Sequence, residues 1–216
     1  MGNSVYVAAP EGLAGKSMVA VGMIEALTRT VSSVGVFRPV VRSGAEDAIL
    51  HTLISQPGVA QAYADAVGVT YDEVHADPEA ALHTLVEKHA AIAERYESVV
   101  ILGSDYTEVT APTELTFNAR VAANLNAPVL MVVSAKGRTP EEVRSVTEGG
   151  LAEFAAHHAK VIGVIANRVE PDRLDAVLAG LASLPGLFTA ALPADPLLAA
   201  PTVGAHFAAV QANQVF

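Results

Sequence analysis

Along the chain, short runs of apolar and β-branched residues bounded by turn residues alternate with longer stretches whose apolar positions recur at helical spacing. Strands are predicted at residues 4–9, 35–38, 98–102, 128–133, 161–166 and 187–192. Several of these runs are apolar at every position, the pattern of strands covered on both faces. The helices between them have readable starts. Asp77-Pro78 sets an N-cap residue before a proline at the first helical position, and Thr139-Pro140-Glu141-Glu142 has the spacing of a capping box. Pro171 opens a helix expected to reach residue 181, and helical spacing over 18–27 follows the first strand. Residues 43–77 are the least patterned; they read as short helices joined by Gly58 and Gly68. With no internal repeat and no linker, the pattern describes βαβ units. The expected fold class is α/β: one domain over 1–216, doubly wound around a mostly parallel sheet in three α/β/α layers.

Composition narrows the function classes. The chain has 216 residues, 51% hydrophobic and 17% charged, and no cysteine. A large core is therefore available, while disulfides, thiolate nucleophiles and cysteine-type zinc sites are excluded, which fits a reducing, cytoplasmic setting. Thirteen Lys and Arg against 23 Asp and Glu give a net charge of −10. Such a surface repels a polyanionic backbone, so no nucleic-acid partner is expected. A single phosphate-bearing ligand is still compatible, because a nest of backbone N–H groups holds an anion whatever the net charge. Residues 176–194 carry no charge and are long enough to span a bilayer, but Gly180, Ser183, Pro185-Gly186 and Pro193 interrupt them. No basic leader precedes an apolar segment at the amino terminus either, so no membrane partner is expected.

The segment with the most chemistry runs from Val5 to Ser17: an apolar strand, then Pro10-Glu11-Gly12-Leu13-Ala14-Gly15-Lys16-Ser17, then a helix. Strand, glycine-bearing loop and helix in that order make a phosphate loop. Successive N–H groups at the helix start converge on one point, the helix dipole adds positive potential, and a lysine ammonium reaches the outer phosphates. Gly12, Leu13, Ala14, Gly15, Lys16, Ser17 and Met18 are the candidate contacts, with the Ser17 hydroxyl as a ligand for Mg²⁺. The match to G-x-x-x-x-G-K-S/T is incomplete, since Pro10 holds the first glycine position. Most donors lie later in the loop. The architecture this implies is P-loop NTPase-like, with ATP or another nucleotide and Mg²⁺ as the candidate cofactor.

The same loop, together with Gly35-Val36-Phe37-Arg38-Pro39-Val40, resembles the dethiobiotin synthetase-like P-loop family. That family also includes the amino-terminal domains of cobyrinic acid a,c-diamide synthases and of longer phosphate acetyltransferases. The segments 99–107, 124–130 and 192–203 are most similar to the acetyltransferase branch in its actinobacterial form. By that resemblance, Arg38 stands where a lysine helps to bind a substrate carboxylate, and Asn167 stands where an asparagine contacts adenine. The family's Mg²⁺-binding glutamate has no counterpart in Leu102-Gly103-Ser104, so Asp105 becomes the candidate second metal ligand beside Ser17.

Two functions follow from the resemblance. The first is a non-catalytic or regulatory nucleotide-binding domain of a phosphate acetyltransferase, whose whole protein exchanges acetyl between coenzyme A and phosphate. In that reading the charge-free stretch 196–216 leads into a downstream acetyltransferase domain, and the full protein is a homo-oligomer. The second is an ATP-dependent ligase or synthase of the dethiobiotin synthetase or cobyrinic acid a,c-diamide synthase type. Other chemistry finds little support. The seven histidines make no H-x-x-x-H pair beside an acid, and Ser17, Ser104 and Ser134 lack a G-x-S-x-G setting.

Overall fold

The computed structural model describes residues 3–44, 46–104 and 112–196. Its first half runs β1 (Asn3–Ala8), α1 (Lys16–Thr28), β2 (Val34–Val41), α2 (Ala48–Ile54), α3 (Tyr63–Ala66), β3 (Val67–Thr70), α4 (Tyr71–Ala76) and α5 (Pro78–Arg95). The second half runs β4 (Ser98–Leu102), α6 (Pro112–Asn124), β5 (Val129–Ser134), α7 (Pro140–Ala156), β6 (Val161–Val169), a 3-10 turn (Pro171–Arg173), α8 (Leu174–Ala182) and β7 (Phe188–Pro193). The strands form one sheet in the order β3-β2-β4-β1-β5-β6-β7, and every pairing is parallel.

The two faces of the sheet are covered by different helices because parallel connections are right-handed. Connections that step from β1 toward β3 put α1, α2 and α3 on one face. Those that step from β3 toward β7 put α5, α6, α7 and α8 on the other. Two apolar clusters result. Val19, Ala20 and Ile24 of α1 pack with Val7, Val100 and Val132 on one side, and Leu85, Ala119, Val143, Phe154 and Leu181 pack with Val99, Met131 and Val164 on the other. Among the described residues no helix is long and apolar enough to cross a membrane.

Two departures from the expected elements lie side by side. Strand β3 falls inside 43–77, where only helices are predicted, and β2 continues three residues past Arg38 to Val41. Pro39 reads as a strand stop because it has no N–H to donate. In the sheet, however, the β4 ladder ends at Phe37, so Pro39 costs no bond on that side. Gly68 reads as a connector, yet it lies within β3, and a Cβ there would come within 2.1 Å of the Pro39 carbonyl oxygen. The glycine permits close strand approach rather than a turn. The helix expected over 171–181 begins instead as the 3-10 turn and becomes α-helical at Leu174.

Candidate functional site

Strand β1 is central in the sheet and delivers the loop 9–15 to the carboxyl ends of its neighbours, where open α/β sheets bind ligands. Two residues of this loop take left-handed backbone conformations, Leu13 with φ +60° and Gly15 with φ +85°. Gly15 is doubly required, because a Cβ there would also stand 2.2 Å from Asn167 Nδ2. The loop is held from the outside by three neighbours. Asn167 Nδ2 donates to the Ala14 carbonyl at 2.9 Å, and Arg168 donates to the Leu13 carbonyl at 3.1 Å. Glu11 accepts a two-pronged bond from Arg138, with Nη2 to Oε2 at 2.6 Å, and the same carboxylate accepts from the Ser134 N–H. Arg138 in turn donates to the Ser134 carbonyl at 2.7 Å.

Helix α1 then begins without any cap of its own. Gly15 is the N-cap residue and offers no side chain, and the first turn contains no acid. Its backbone hydrogen bonds start with the N–H groups of Met18 and Val19, both turned to the Gly15 carbonyl. Lys16 is buried, 3% exposed, and its Nζ donates to the Ser104 carbonyl at 2.9 Å. The ammonium thus lies over the end of β4 rather than in bulk water. Ser17 is half-buried in the first turn, while Gly12, Leu13 and Met18 are exposed around it.

Arg38 is also buried, 2% exposed. Its guanidinium donates to the carbonyls of Leu102 and Gly103, and its Nε meets Asp47 Oδ2 at 3.0 Å. Lys16 and Arg38 therefore hold three successive carbonyls, 102, 103 and 104, at the exit of β4. Burial pushes the Asp47 carboxyl up, but the Arg38 charge and the N–H groups of Leu50 and Ile49 outweigh it and hold Asp47 below the usual range. On the opposite side Asn118 Oδ1 accepts from the Tyr6 hydroxyl at 2.6 Å and from the Ser104 N–H at 3.1 Å. Burial pushes the Tyr6 phenol up, so it stays a neutral donor at physiological pH. Gly103 has to be glycine for this approach, since a Cβ would lie 2.5 Å from Asn118 Oδ1.

Sequence-predicted residues 12 to 18 and Asn167 thus converge on one loop, with Lys16 and Arg38 meeting at the end of β4. Asp105 lies outside the described residues. Among the described residues no group of three or more His, Asp or Glu forms a metal cluster. The N–H groups at the start of α1 and the Lys16 ammonium are donors of the kind a phosphate takes. Of the residues expected to hold Mg²⁺, Ser17 lies half-buried in the first turn of α1. Sequence reasoning missed Glu11, Arg138, Asn118 and the polar role of Tyr6. Glu11 and Arg138 are 127 residues apart, and no local pattern pairs them.

Beyond Ser104 a cavity of about 570 Å³ opens between α4, α5 and α6. Val40, Val74, Pro78 and Phe117 make its apolar walls, and Tyr71, His75, Glu114 and Arg120 its polar ones.

The sheet order, the glycine-lysine-serine loop and the buried lysine define a P-loop NTPase fold. Solved structures agree. A putative plasmid partition protein of Borrelia burgdorferi B31 bound to AMPPNP aligns with TM-score 0.61 and 12% identity over 91% of this chain and 89% of that one. The septum site-determining protein MinD of Pyrococcus horikoshii OT3, complexed with Mg-ADP, aligns with TM-score 0.51 and 14% identity over 91% and 84%. Residues 3–202 match the family model AAA_26, described as an AAA domain, and the chain belongs to that family. Among curated proteins it is similar to the phosphate acetyltransferase of Synechocystis sp., 25% identical over 80% of this chain and 26% of that protein. The phosphate acetyltransferase of Nitratidesulfovibrio vulgaris is 26% identical over 78% and 25%. The chain spans about a quarter of the length of these relatives.

Proposed function

We propose that this chain is a nucleotide-binding, regulatory domain related to phosphate acetyltransferases, which does not itself transfer acetyl. The observation that carries this reading is the open start of α1, with Lys16 buried beside it. Residues Gly12 to Met18 surround the phosphates of ATP or a similar nucleotide, Lys16 swings from the Ser104 carbonyl to an outer phosphate, and Asn167 stands near the base. Arg38 keeps the end of β4 in position. Mg²⁺ is held by Ser17, with Asp105 as the second protein ligand. Residues 1–216 make up one domain, and 196–216 connect it to a downstream acetyltransferase domain in a cytoplasmic homo-oligomer. There the reaction acetyl-CoA + phosphate = acetyl phosphate + CoA takes place, and nucleotide occupancy here reports to it.

Calorimetric titration of the chain with MgATP tests the reading. Binding without turnover is expected, with affinity reduced about 30-fold or more in Lys16→Ala, the scale of a charge-assisted phosphate contact. No heat with ATP, ADP or inorganic phosphate counts against it. The cavity beyond Ser104 favours a second reading, an ATP-dependent ligase or synthase of the dethiobiotin synthetase or cobyrinic acid a,c-diamide synthase type, with a carboxylic acid in that cavity. Release of ADP that depends on an added carboxylic acid and disappears in Lys16→Ala selects this alternative.

A further inference from the structure

Strand β6 contains an extra residue at the point where it reaches the phosphate loop. Ala166 pairs with Ala191 and Val169 with Pro193, so three steps along β6 face two along β7. That is a β-bulge, a feature rare between parallel strands and over-represented beside active sites. The extra residue is Arg168. Val164, Ala166 and Val169 pack in the core on the α7–α8 face and Ile165 in the core on the α1 face, so the strand alternates regularly only when Arg168 is left out of the count. Its backbone is left-handed, with φ +60°, a conformation that is strained for an arginine and persists only where its surroundings require it.

The hydrogen bonds show what the bulge achieves. In a regular strand the side chains of residues 167 and 168 would leave on opposite faces. Here both turn to the same loop: Asn167 donates to the Ala14 carbonyl at 2.9 Å, and Arg168 donates to the Leu13 carbonyl at 3.1 Å. Arg38, Arg120 and Arg138 each pair with a carboxylate, whereas Arg168 has no such partner among the described residues. Leu13 is left-handed as well, and at 79% exposure its own side chain does little to hold that conformation. Two consecutive side chains thus grip two consecutive carbonyls. A trans peptide unit is planar, so its N–H points away from its C=O. Holding carbonyls 13 and 14 toward β6 therefore turns the N–H groups of Ala14 and Gly15 to the other side of the loop, and the Gly15 N–H has no acceptor among the described residues. We propose, resting on the nucleotide-binding reading of this loop, that Arg168 is a positioning residue: through the Leu13 carbonyl it keeps the loop's N–H groups aimed at the phosphates, without touching the ligand itself.

Arg168→Gly in the full chain removes the donor but suits the left-handed backbone, so its Tm should stay within about 2 °C of the parent. Its affinity for MgATP and for inorganic triphosphate by calorimetry should fall about tenfold, the scale of one charge-assisted hydrogen bond. Hydrogen exchange of the unliganded variant should speed up about tenfold at the amides of residues 13–16 while β4 and α7 keep their rates. Arg168→Lys keeps a donor and should bring both readouts back toward the parent. Unchanged exchange in the free loop overturns the proposal whatever the affinities, because a group that only contacts bound ligand leaves the free loop as it was. A loss with ATP but not with triphosphate assigns Arg168 to the base and overturns it too, as does a larger fall in Tm, which makes the residue a general support of the fold. If the parent chain gives no heat with MgATP or inorganic phosphate, the nucleotide reading fails instead, and exchange in the free chain still decides whether Arg168 sets the loop.

Discussion

The helices of this fold begin in two ways. Asp47 caps α2 by accepting from the N–H groups of Ile49 and Leu50, and Asp77 caps α5 ahead of Pro78. Thr70 and Thr139 build complete capping boxes with Glu73 and Glu142 at α4 and α7. Where α3 and α8 lack a side-chain cap, Asp65 and Asp175 lie in their first turns. Helix α1 has neither device, and it is the one fed by the braced glycine loop. The first N–H groups of any helix need partners, and a carboxylate or hydroxyl in the sequence fulfils that need at once. Each other described helix start brings a side-chain cap or an acid in its first turn, so the start of α1 differs from them in carrying no anion of its own, as the proposed nucleotide site requires. On the proposed reading, self-capped starts stabilise the fold and the uncapped one binds.

The largest effect expected on this contrast comes from breaking the best-anchored cap. Asp47 both caps α2 and pairs with buried Arg38. Arg38→Leu leaves that carboxylate beside an apolar group and frees the Leu102 and Gly103 carbonyls. A loss of about 3–5 kcal/mol is expected, seen as a fall in Tm of roughly 10 °C or more. An unchanged Tm contradicts the anchoring role. The same pair has a pH signature. Because the Asp47 carboxyl lies below its ordinary value of 3.8 in the folded chain, its contribution is present above pH 4 and is lost as pH falls through the lowered value. Asp47→Asn should flatten the acid limb of a stability-against-pH curve below about pH 4.

Next in size is the loop. Gly15→Ala asks alanine to adopt φ +85° and brings its Cβ against Asn167. A loss of about 1–3 kcal/mol is expected, together with loss of MgATP binding by calorimetry. If binding survives unchanged, the left-handed residue is not needed to aim the N–H groups. Thr139→Ala removes an ordinary cap from α7 and should lower stability by about 1 kcal/mol in urea unfolding. Nucleotide affinity should stay the same, which separates a stabilising helix start from a binding one.

The legibility of these features in the sequence depended on their range. The capping box at Thr139 and the cap at Asp77 are local, and both stand where their short signatures place them. So does the loop before Lys16, because phosphate-loop chemistry is written in consecutive residues. Strand β3 was hidden because four residues around a glycine carry too little period, and Gly68 is explained by Pro39, 29 residues earlier, together with Leu85. Likewise, Arg38 as a brace for the end of β4, the Tyr6–Asn118 bond and the Glu11–Arg138 pair become visible only once the sheet order brings β1, β2, β4 and β5 together. The stabilising contacts around the site were the part that one-dimensional spacing does not encode.

The smallest effect is the most discriminating, because its two readouts have opposite signs. Met18 occupies the third position of α1, is 52% exposed, and corresponds to the position where Glu73 and Glu142 complete the boxes of α4 and α7. Met18→Glu gives α1 the anion that its start lacks. At that site the helix dipole favours negative charge by about 0.3–1 kcal/mol at low ionic strength, so the unliganded chain should become slightly more stable in urea. The same carboxylate repels a bound phosphate and competes for its N–H donors, so MgATP affinity should fall by a few-fold, and less at high salt. Met18→Gln keeps size and polarity without the charge and should do neither. If the glutamate variant gains stability and binds nucleotide as tightly as before, the open helix start is not where the phosphates are held.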